Sequence, residues 1–147
     1  MRIYSPALLD TNILVYYHQK LSPFHSRAKG ILEIGLRREA SLCICPQVLM
    51  EFYATITNPR RVTDPVTPEQ GLAEVEKYFT CSWLGKIYPR EETLEITIDL
   101  LKKYQVRRME VFDLQLVATM LSNGVIHIYT FNQSDFLKYT EIQTLLP

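Results

Sequence analysis

The stretch Ala7-Leu8-Leu9-Asp10-Thr11-Asn12 joins a short apolar run directly to three polar residues. The apolar run predicts the end of a first buried β-strand, and the residues after it predict the start of a helix. Because open α/β sheets bind their ligands at the carboxyl ends of the strands, an acid in this place is a candidate for a functional site. An ordinary alternative is that Asp10, or Asn12, only caps the following helix.

Strand and helix patterns alternate along the chain. Residues 3–9 predict the first strand, although Pro6 confines its ladder hydrogen bonds to the second half. Such alternation predicts an α/β fold with a central, mainly parallel sheet of four or five strands and helices on both faces. The predicted helices cover residues 12–17, 22–38, 46–57, 67–80, 90–104 and 112–122, and the predicted later strands cover 42–45, 86–88, 125–130 and 142–145.

Length and composition limit the class of protein. A chain of 147 residues suits a single domain over 1–147, and 47% apolar with 22% charged residues is typical of a globule with a substantial core. The formal net charge is zero, so contacts with nucleic acid must come from local basic groups or bound cations. With neither a membrane-spanning run nor a signal-peptide pattern in the sequence, we expect a cytoplasmic protein with no membrane contact.

Three further acids lie in comparable settings. Glu51 lies in the apolar segment 48–54, where a buried carboxylate would need a partner. Asp113 comes at the start of a predicted apolar helix, and Asp135 follows a late strand. Each has an ordinary alternative, because Glu51 could face solvent and the two aspartates could cap a helix or a turn.

Together with Asp10, these acids predict a metal site. Carboxylates that converge raise one another's pKa unless a cation lies between them. Ligands that are all oxygen suit Mg²⁺ or Mn²⁺, and the three histidines and three cysteines show no spacing typical of a zinc site. A divalent cation held by these acids would activate a bound water molecule. Such a site is typical of enzymes that hydrolyse phosphodiesters.

The same residues resemble the successive motifs of the PIN-domain family, and the chain length resembles that of its small VapC-type toxins. One segment departs from the family pattern. Residues 107–112, which precede Asp113, contain no Gly or other small residue where the family pattern has one. The matching segments are residues 9–12, Glu51 in its Pro-initiated helix, residues 113–118 and residues 130–136.

This resemblance implies a PIN-like three-layer sandwich and a Mg²⁺- or Mn²⁺-dependent endoribonuclease, the toxin of a type II toxin–antitoxin pair. It implies that Asp10 and Asp113 hold the ion directly. Glu51 and Asp135 would bind through water or a second ion. Asn12 and Thr130 would support the site by positioning ligands or the scissile phosphate.

The partners implied by the resemblance are an RNA substrate, a second copy of the chain and a VapB-type antitoxin. In this family an antitoxin segment is expected to lie across the acidic pocket, with an Arg or Lys in the place of the metal. Basic residues that could follow the RNA backbone, or simply be exposed charges, are Arg60, Arg61, Lys102, Lys103, Arg107 and Arg108.

Two other functions are compatible with parts of the sequence. A PIN-like module could bind RNA or protein without cleaving, although the presence of all four acids argues against this. A doubly wound phospho-receiver would need an acidic pair after the first strand and an Asp after a middle strand. Here Asp10 stands alone and the predicted strand 42–45 ends without an Asp, so this class is disfavoured.

Overall fold

The computed structural model describes residues 5–147, so residues 3 and 4 of the predicted first strand lie outside the described part of the chain. A single turn of 3₁₀ helix at Gln133–Asp135 precedes the last strand. The strands are β1 (Ala7–Leu9), β2 (Leu42–Ile44), β3 (Leu84–Lys86), β4 (His127–Tyr129) and β5 (Gln143–Leu145). The helices are α1 (Thr11–His18), α2 (His25–Leu36), α3 (Pro46–Ile56), α4 (Pro68–Phe79), α5 (Thr93–Tyr104) and α6 (Glu110–Ser122).

The five strands form one sheet in the order β3-β2-β1-β4-β5, and all neighbours are parallel. The crossovers β1 to β2 and β2 to β3 run toward one edge of the sheet. The crossover from β3 to β4 runs in the opposite direction and passes β2 and β1. Because such crossovers are right-handed, α1 to α4 cover one face of the sheet and α5 and α6 cover the other. The predicted α/β three-layer sandwich is therefore confirmed, and its sheet is parallel throughout.

The core lies on both sides of the central strands. β1 and β2 are buried over their whole lengths, and Leu8 and Leu9 have no exposed surface. Strands covered on both faces are continuous apolar runs, which explains why the sequence shows no alternating pattern here. Among the described residues, none of the helices is both long and apolar enough to span a membrane.

Several element boundaries differ from the predicted ones, and two of the shifts have a local cause. α2 begins at His25 rather than near Ser22, because Ser22 forms a turn in which its carbonyl accepts from the His25 amide at 3.1 Å. β3 begins two residues early, because Gly85 pairs with Cys43. α6 begins at Glu110, so Asp113 is its fourth residue.

Candidate active site

The carboxyl ends of β1 and β4 form the edge at which the candidate site lies. These two strands are neighbours in the sheet, and the chain order reverses direction between them. Asp10 directly follows β1 and Thr130 directly follows β4, and the Asp10 amide donates to the Tyr129 carbonyl at 3.0 Å. In open α/β sheets the crevice at such a switch point is where ligands bind.

The Asp10 carboxylate is held by three hydrogen bonds. Its Oδ1 accepts from the Thr11 amide at 2.7 Å, and its Oδ2 accepts from Thr130 Oγ1 at 2.8 Å and from Asn12 Nδ2 at 3.1 Å. Each carboxylate oxygen has two lone pairs, so Oδ2 is fully used and Oδ1 keeps one acceptor position. The carboxylate is therefore fixed in orientation but can still accept one further contact.

Thr130 and Asn12 connect Asp10 to the turn that follows β4. Thr130 Oγ1 accepts from Asn12 Nδ2 at 3.2 Å and from the Asn132 amide at 3.0 Å. Asn12 Oδ1 accepts from the Phe131 amide at 3.1 Å. Thr130 has no exposed surface, so its hydroxyl holds Asp10 and is not available to a phosphate group.

Glu51 lies on the exposed side of α3, so the expectation of a buried charge was wrong and its solvent-facing alternative holds. Its Oε2 accepts from Thr11 Oγ1 at 2.9 Å, and its Oε1 accepts from Gln47 Nε2 at 3.1 Å. Gln47 Nε2 also donates to the Phe112 carbonyl at 2.9 Å. Gln47 lies one helical turn before Glu51, so it can reach the Glu51 carboxylate. Because it also donates to Phe112, it connects α3 to the start of α6, a role that sequence reasoning missed.

All four predicted acids line one cleft. Asp113 is partly buried in the first turn of α6, and Asp135 is exposed at the end of the 3₁₀ turn. The cleft has a volume of about 520 Å³ and also includes Asn12. Of the six basic candidates, Arg61 is the one that lines it among the described residues.

Burial and mutual repulsion perturb two of the carboxylates. Burial raises the pKa of Asp10 from 3.8 to about 6, against the hydrogen bonds from Thr130 and Thr11, which lower it. Burial also raises the pKa of Asp113 from 3.8 to about 6, and the charge of Asp10 adds to this increase. Carboxylates that raise one another's pKa favour a cation between them.

The donor set fits a hydrated divalent ion. The described residues contain no group of three His, Cys, Asp or Glu side chains gathered closely enough to surround a metal. Mg²⁺, however, usually keeps several waters and is held by only one or two carboxylates. Asp10, with one free acceptor position on Oδ1, and Asp113, across the same cleft, match that arrangement in chemistry.

Comparisons with known proteins agree with this architecture. The sequence model described as PIN domain matches residues 7–142. Ribonuclease VapC24 of Mycobacterium tuberculosis is 28% identical to this chain over 89% of each protein.

Solved structures share this fold, and one of them is a toxin–antitoxin complex. VapBC2 from Rickettsia felis, bound to a DNA fragment from its promoter, superposes with a TM-score of 0.68 at 16% identity and covers 97% of this chain and 98% of its own. A toxin–antitoxin complex from Klebsiella pneumoniae gives a TM-score of 0.61 at 20% identity, with coverage of 94% and 96%. At these identities the structures show the fold alone, whereas the family model covers nearly the whole chain. The chain therefore belongs to the PIN-domain family, as its motifs predicted.

Proposed function

We propose that this chain is a single-domain, Mg²⁺- or Mn²⁺-dependent endoribonuclease and the toxin of a type II toxin–antitoxin pair. The observation that carries the proposal is that four carboxylates from separate parts of the chain line one cleft at the switch point of the sheet. The membership of the PIN family and the similarity to a protein named a ribonuclease support the same activity.

Asp10 and Asp113 are the proposed direct ligands of the cation. Asp10 suits this role because three hydrogen bonds orient it and Oδ1 still has a free lone pair. When bound, the cation would lower the pKa of a water molecule and offset the charge that develops on the phosphoryl oxygens. Asn12 and Thr130 act behind Asp10 and hold its carboxylate in place.

Glu51 and Asp135 are the proposed outer acids of the site. Both side chains are exposed and line the cleft, so they can accept hydrogen bonds from water around the ion. A carboxylate in that position can orient an attacking water and accept its proton. Thr11 and Gln47 each donate to one oxygen of Glu51, which limits the orientations that this carboxylate can adopt.

Arg61 is the proposed contact for the RNA backbone. It lines the acidic cleft, where an Arg fork can bind two oxygens of one phosphate. Because the net charge of the chain is zero, such local contacts must supply the attraction for RNA that the protein as a whole lacks.

Cleavage of a single-stranded RNA in Mg²⁺ or Mn²⁺ and in excess EDTA tests the activity. Asp10→Asn should abolish cleavage, because the new amide would face the donors of Asn12 and Thr130 and would not replace the ligand. Asp99 is exposed on α5 and lies outside the cleft, so Asp99→Asn should keep wild-type activity. Full cleavage in EDTA or by Asp10→Asn would refute the mechanism, and metal-independent RNA binding without cleavage would favour a non-catalytic module.

The proposed partners are a VapB-type antitoxin and a second copy of the chain. An Arg or Lys of the antitoxin would meet charge-assisted hydrogen-bond acceptors in the acidic cleft. Tyr17 and Phe24 expose 39% and 36% of their surfaces beside α1 and α2, and they offer apolar contacts to an amphipathic helix.

Expression of the chain without its antitoxin should slow bacterial growth, and the Asp10→Asn variant at equal abundance should not. Co-expression of the antitoxin should restore growth, and sedimentation of the purified chain should give a dimer. Unimpaired growth with abundant wild-type protein would count against the toxin assignment without affecting the nuclease assignment.

A further inference from the structure

Tyr139 carries a buried hydroxyl without a hydrogen-bond partner. The residue is 2% exposed, and among the described residues its Oη is the one buried side-chain nitrogen or oxygen that lacks a partner. A buried donor that makes no hydrogen bond is costly, so a native structure that keeps one needs a reason for it. A phenylalanine would fill the same space without this cost.

The contacts of Lys138 and Tyr139 connect their segment to the first turn of α6 and to α5. The neighbouring Lys138 Nζ lies 3.0 Å from Glu110 Oε2, which fastens the segment after the 3₁₀ turn to that helix. Glu110 and Asp113 are three residues apart and so share one helix face. The Tyr139 ring also packs edge-on against Tyr104 of α5, with ring centroids 4.9 Å apart. Tyr139 therefore packs on α5, and the residue before it is paired with the turn of α6 that carries Asp113.

Three carboxylates lie near enough to act on Tyr139. Burial raises the pKa of Tyr139 to about 12, and the charges of Asp113, Glu110 and Glu141 add to the increase. Glu110 already binds Lys138, and Glu141 already accepts from the Tyr104 hydroxyl.

Of these three carboxylates, Asp113 is the one that has no hydrogen-bond or ion-pair partner among the described residues. No hydrogen bond to a described residue stabilises its carboxylate, in contrast to the three that hold Asp10. A carboxylate that holds a metal is normally oriented by a hydrogen bond from an outer residue, and such partners affect metal affinity. An unpartnered buried donor and an unsupported carboxylate thus both belong to the region where the segment of Lys138 and Tyr139 meets the first turn of α6.

We propose that Tyr139 is a positioning residue: its hydroxyl donates a hydrogen bond, directly or through one buried water, to the Asp113 carboxylate when Asp113 holds the divalent cation. The inference rests on the proposed function, because it assumes that Asp113 is a cation ligand. Tyr139 itself contacts neither the RNA nor the reacting atoms in this arrangement.

Calorimetric titration of the full chain with Mn²⁺ alone, without RNA, tests this role. Tyr139→Phe removes only the hydroxyl and should weaken Mn²⁺ binding by about tenfold. In EDTA the same variant should melt at or above the wild-type temperature, since it loses a donor that had no partner.

Tyr104→Phe is the matched control. It removes a hydroxyl from the other ring of the same aromatic pair, but one that contacts Glu141 and Thr140. This variant should therefore melt below the wild type and bind Mn²⁺ with unchanged affinity. The two variants are thus expected to differ in opposite ways: Tyr139→Phe loses Mn²⁺ affinity but not stability, and Tyr104→Phe loses stability but not Mn²⁺ affinity.

A double-mutant cycle separates the inference from the proposed function. In an Asp113→Asn background, Tyr139→Phe should change Mn²⁺ affinity by less than about twofold, because its partner is gone. The inference is overturned if Tyr139→Phe binds Mn²⁺ with wild-type affinity, or if it loses the same tenfold affinity in the Asp113→Asn background. Either result would leave the proposed nuclease function unaffected. Absence of Mn²⁺ binding by the wild type overturns the cation dependence and the inference together.

Discussion

Asp10 and Asp113 have equally raised pKa values but unequal support. Thr11, Asn12 and Thr130 donate to Asp10, whereas Asp113 receives no such bond from the described residues. Removing the charge of Asp10 therefore also disturbs a hydrogen-bond network, while removing that of Asp113 mainly relieves burial and repulsion. The two acids should respond differently to the same Asp→Asn substitution.

Asp113→Asn should raise the free energy of unfolding at pH 7.5 in EDTA by roughly 1 kcal/mol. The increase of its pKa from 3.8 to about 6 corresponds to about 3 kcal/mol at most, and partial exposure and the lost attraction to the helix N-terminus reduce this. Urea unfolding gives the measurement. Asp99→Asn, on the exposed side of α5, should change stability by less than about 0.5 kcal/mol. A destabilised Asp113→Asn would show that the repulsion is not the dominant effect.

Arg61→Ala should raise KM for a short single-stranded RNA by about 5- to 10-fold and leave kcat unchanged, because a backbone contact is equal in the ground and transition states. The slope of log affinity against log salt should fall by about 0.7. Steady-state kinetics at several salt concentrations provide both values. Lys102→Ala, exposed on α5 and outside the cleft, is the control and should change neither. A loss confined to kcat would contradict the assigned role.

Sequence motifs predicted which acids share the cleft but not how each is held. Asp10, Asn12 and Thr130 were identifiable because short polar segments directly follow buried strands. The burial argument for Glu51 failed, because a helix with one buried face presents its other face to solvent even within an apolar segment. Tyr139 gave no signal, since an orphan hydroxyl is a property of packing.

α2 contains two glycines with opposite surroundings, which allows a paired test of helix packing. A Cβ on Gly35 would lie 2.6 Å from Leu42 Cδ1 and 2.7 Å from Trp83 Cζ3, whereas a Cβ on Gly30 would meet nothing within 4 Å. Gly35 is thus a point of close contact between α2 and Leu42 of β2, and Gly30 is an ordinary helix position.

Gly35→Ala should therefore destabilise the protein by about 1–3 kcal/mol through overpacking. Gly30→Ala should stabilise it by about 0.5–1 kcal/mol, because alanine loses less backbone entropy in a helix. Midpoints of urea unfolding measure both changes against the wild type. Equal effects of the two substitutions would show that α2 does not pack on β2 in this way.

Elements with strong boundary signals were predicted closely. α3 begins at Pro46 as expected, and α4 begins at Pro68, one residue after the expected Thr67, which caps it. Gly124, with a φ of +69°, follows the end of α6. β3 was displaced by two residues, because pairing with β2 decides its register and three-residue strands carry too little local pattern.

Taken over the whole molecule, the metal-free protein should lose stability as pH rises. The carboxyl groups of Asp10 and Asp113 both have pKa values raised from 3.8 to about 6. Between these pH values the folded state therefore binds more protons than the unfolded state. Their contribution is fully present below about pH 3.8 and is lost as pH rises through about 6.

Urea unfolding in EDTA at several pH values between 4 and 7.5 measures this slope. Asp113→Asn should make it shallower, since one of the two groups no longer titrates. Saturating Mn²⁺ should raise stability at pH 7.5, because a bound cation offsets the repulsion. A slope that does not change in Asp113→Asn would assign the pH dependence to other groups.

The hydrogen bond between Thr130 and Asp10 joins residues that are 120 positions apart, and this separation delays completion of the cleft during synthesis. At about 5–20 residues per second, a ribosome needs roughly 6–24 s to extend the chain from the first of these residues to the second. Until β4 is added beside β1, the acidic cleft is open on one side and Asp10 lacks the donor that Thr130 supplies. If the chain has the proposed function, a nascent chain would therefore be inactive toward the messenger and ribosome that produce it, and an antitoxin would have this interval in which to bind.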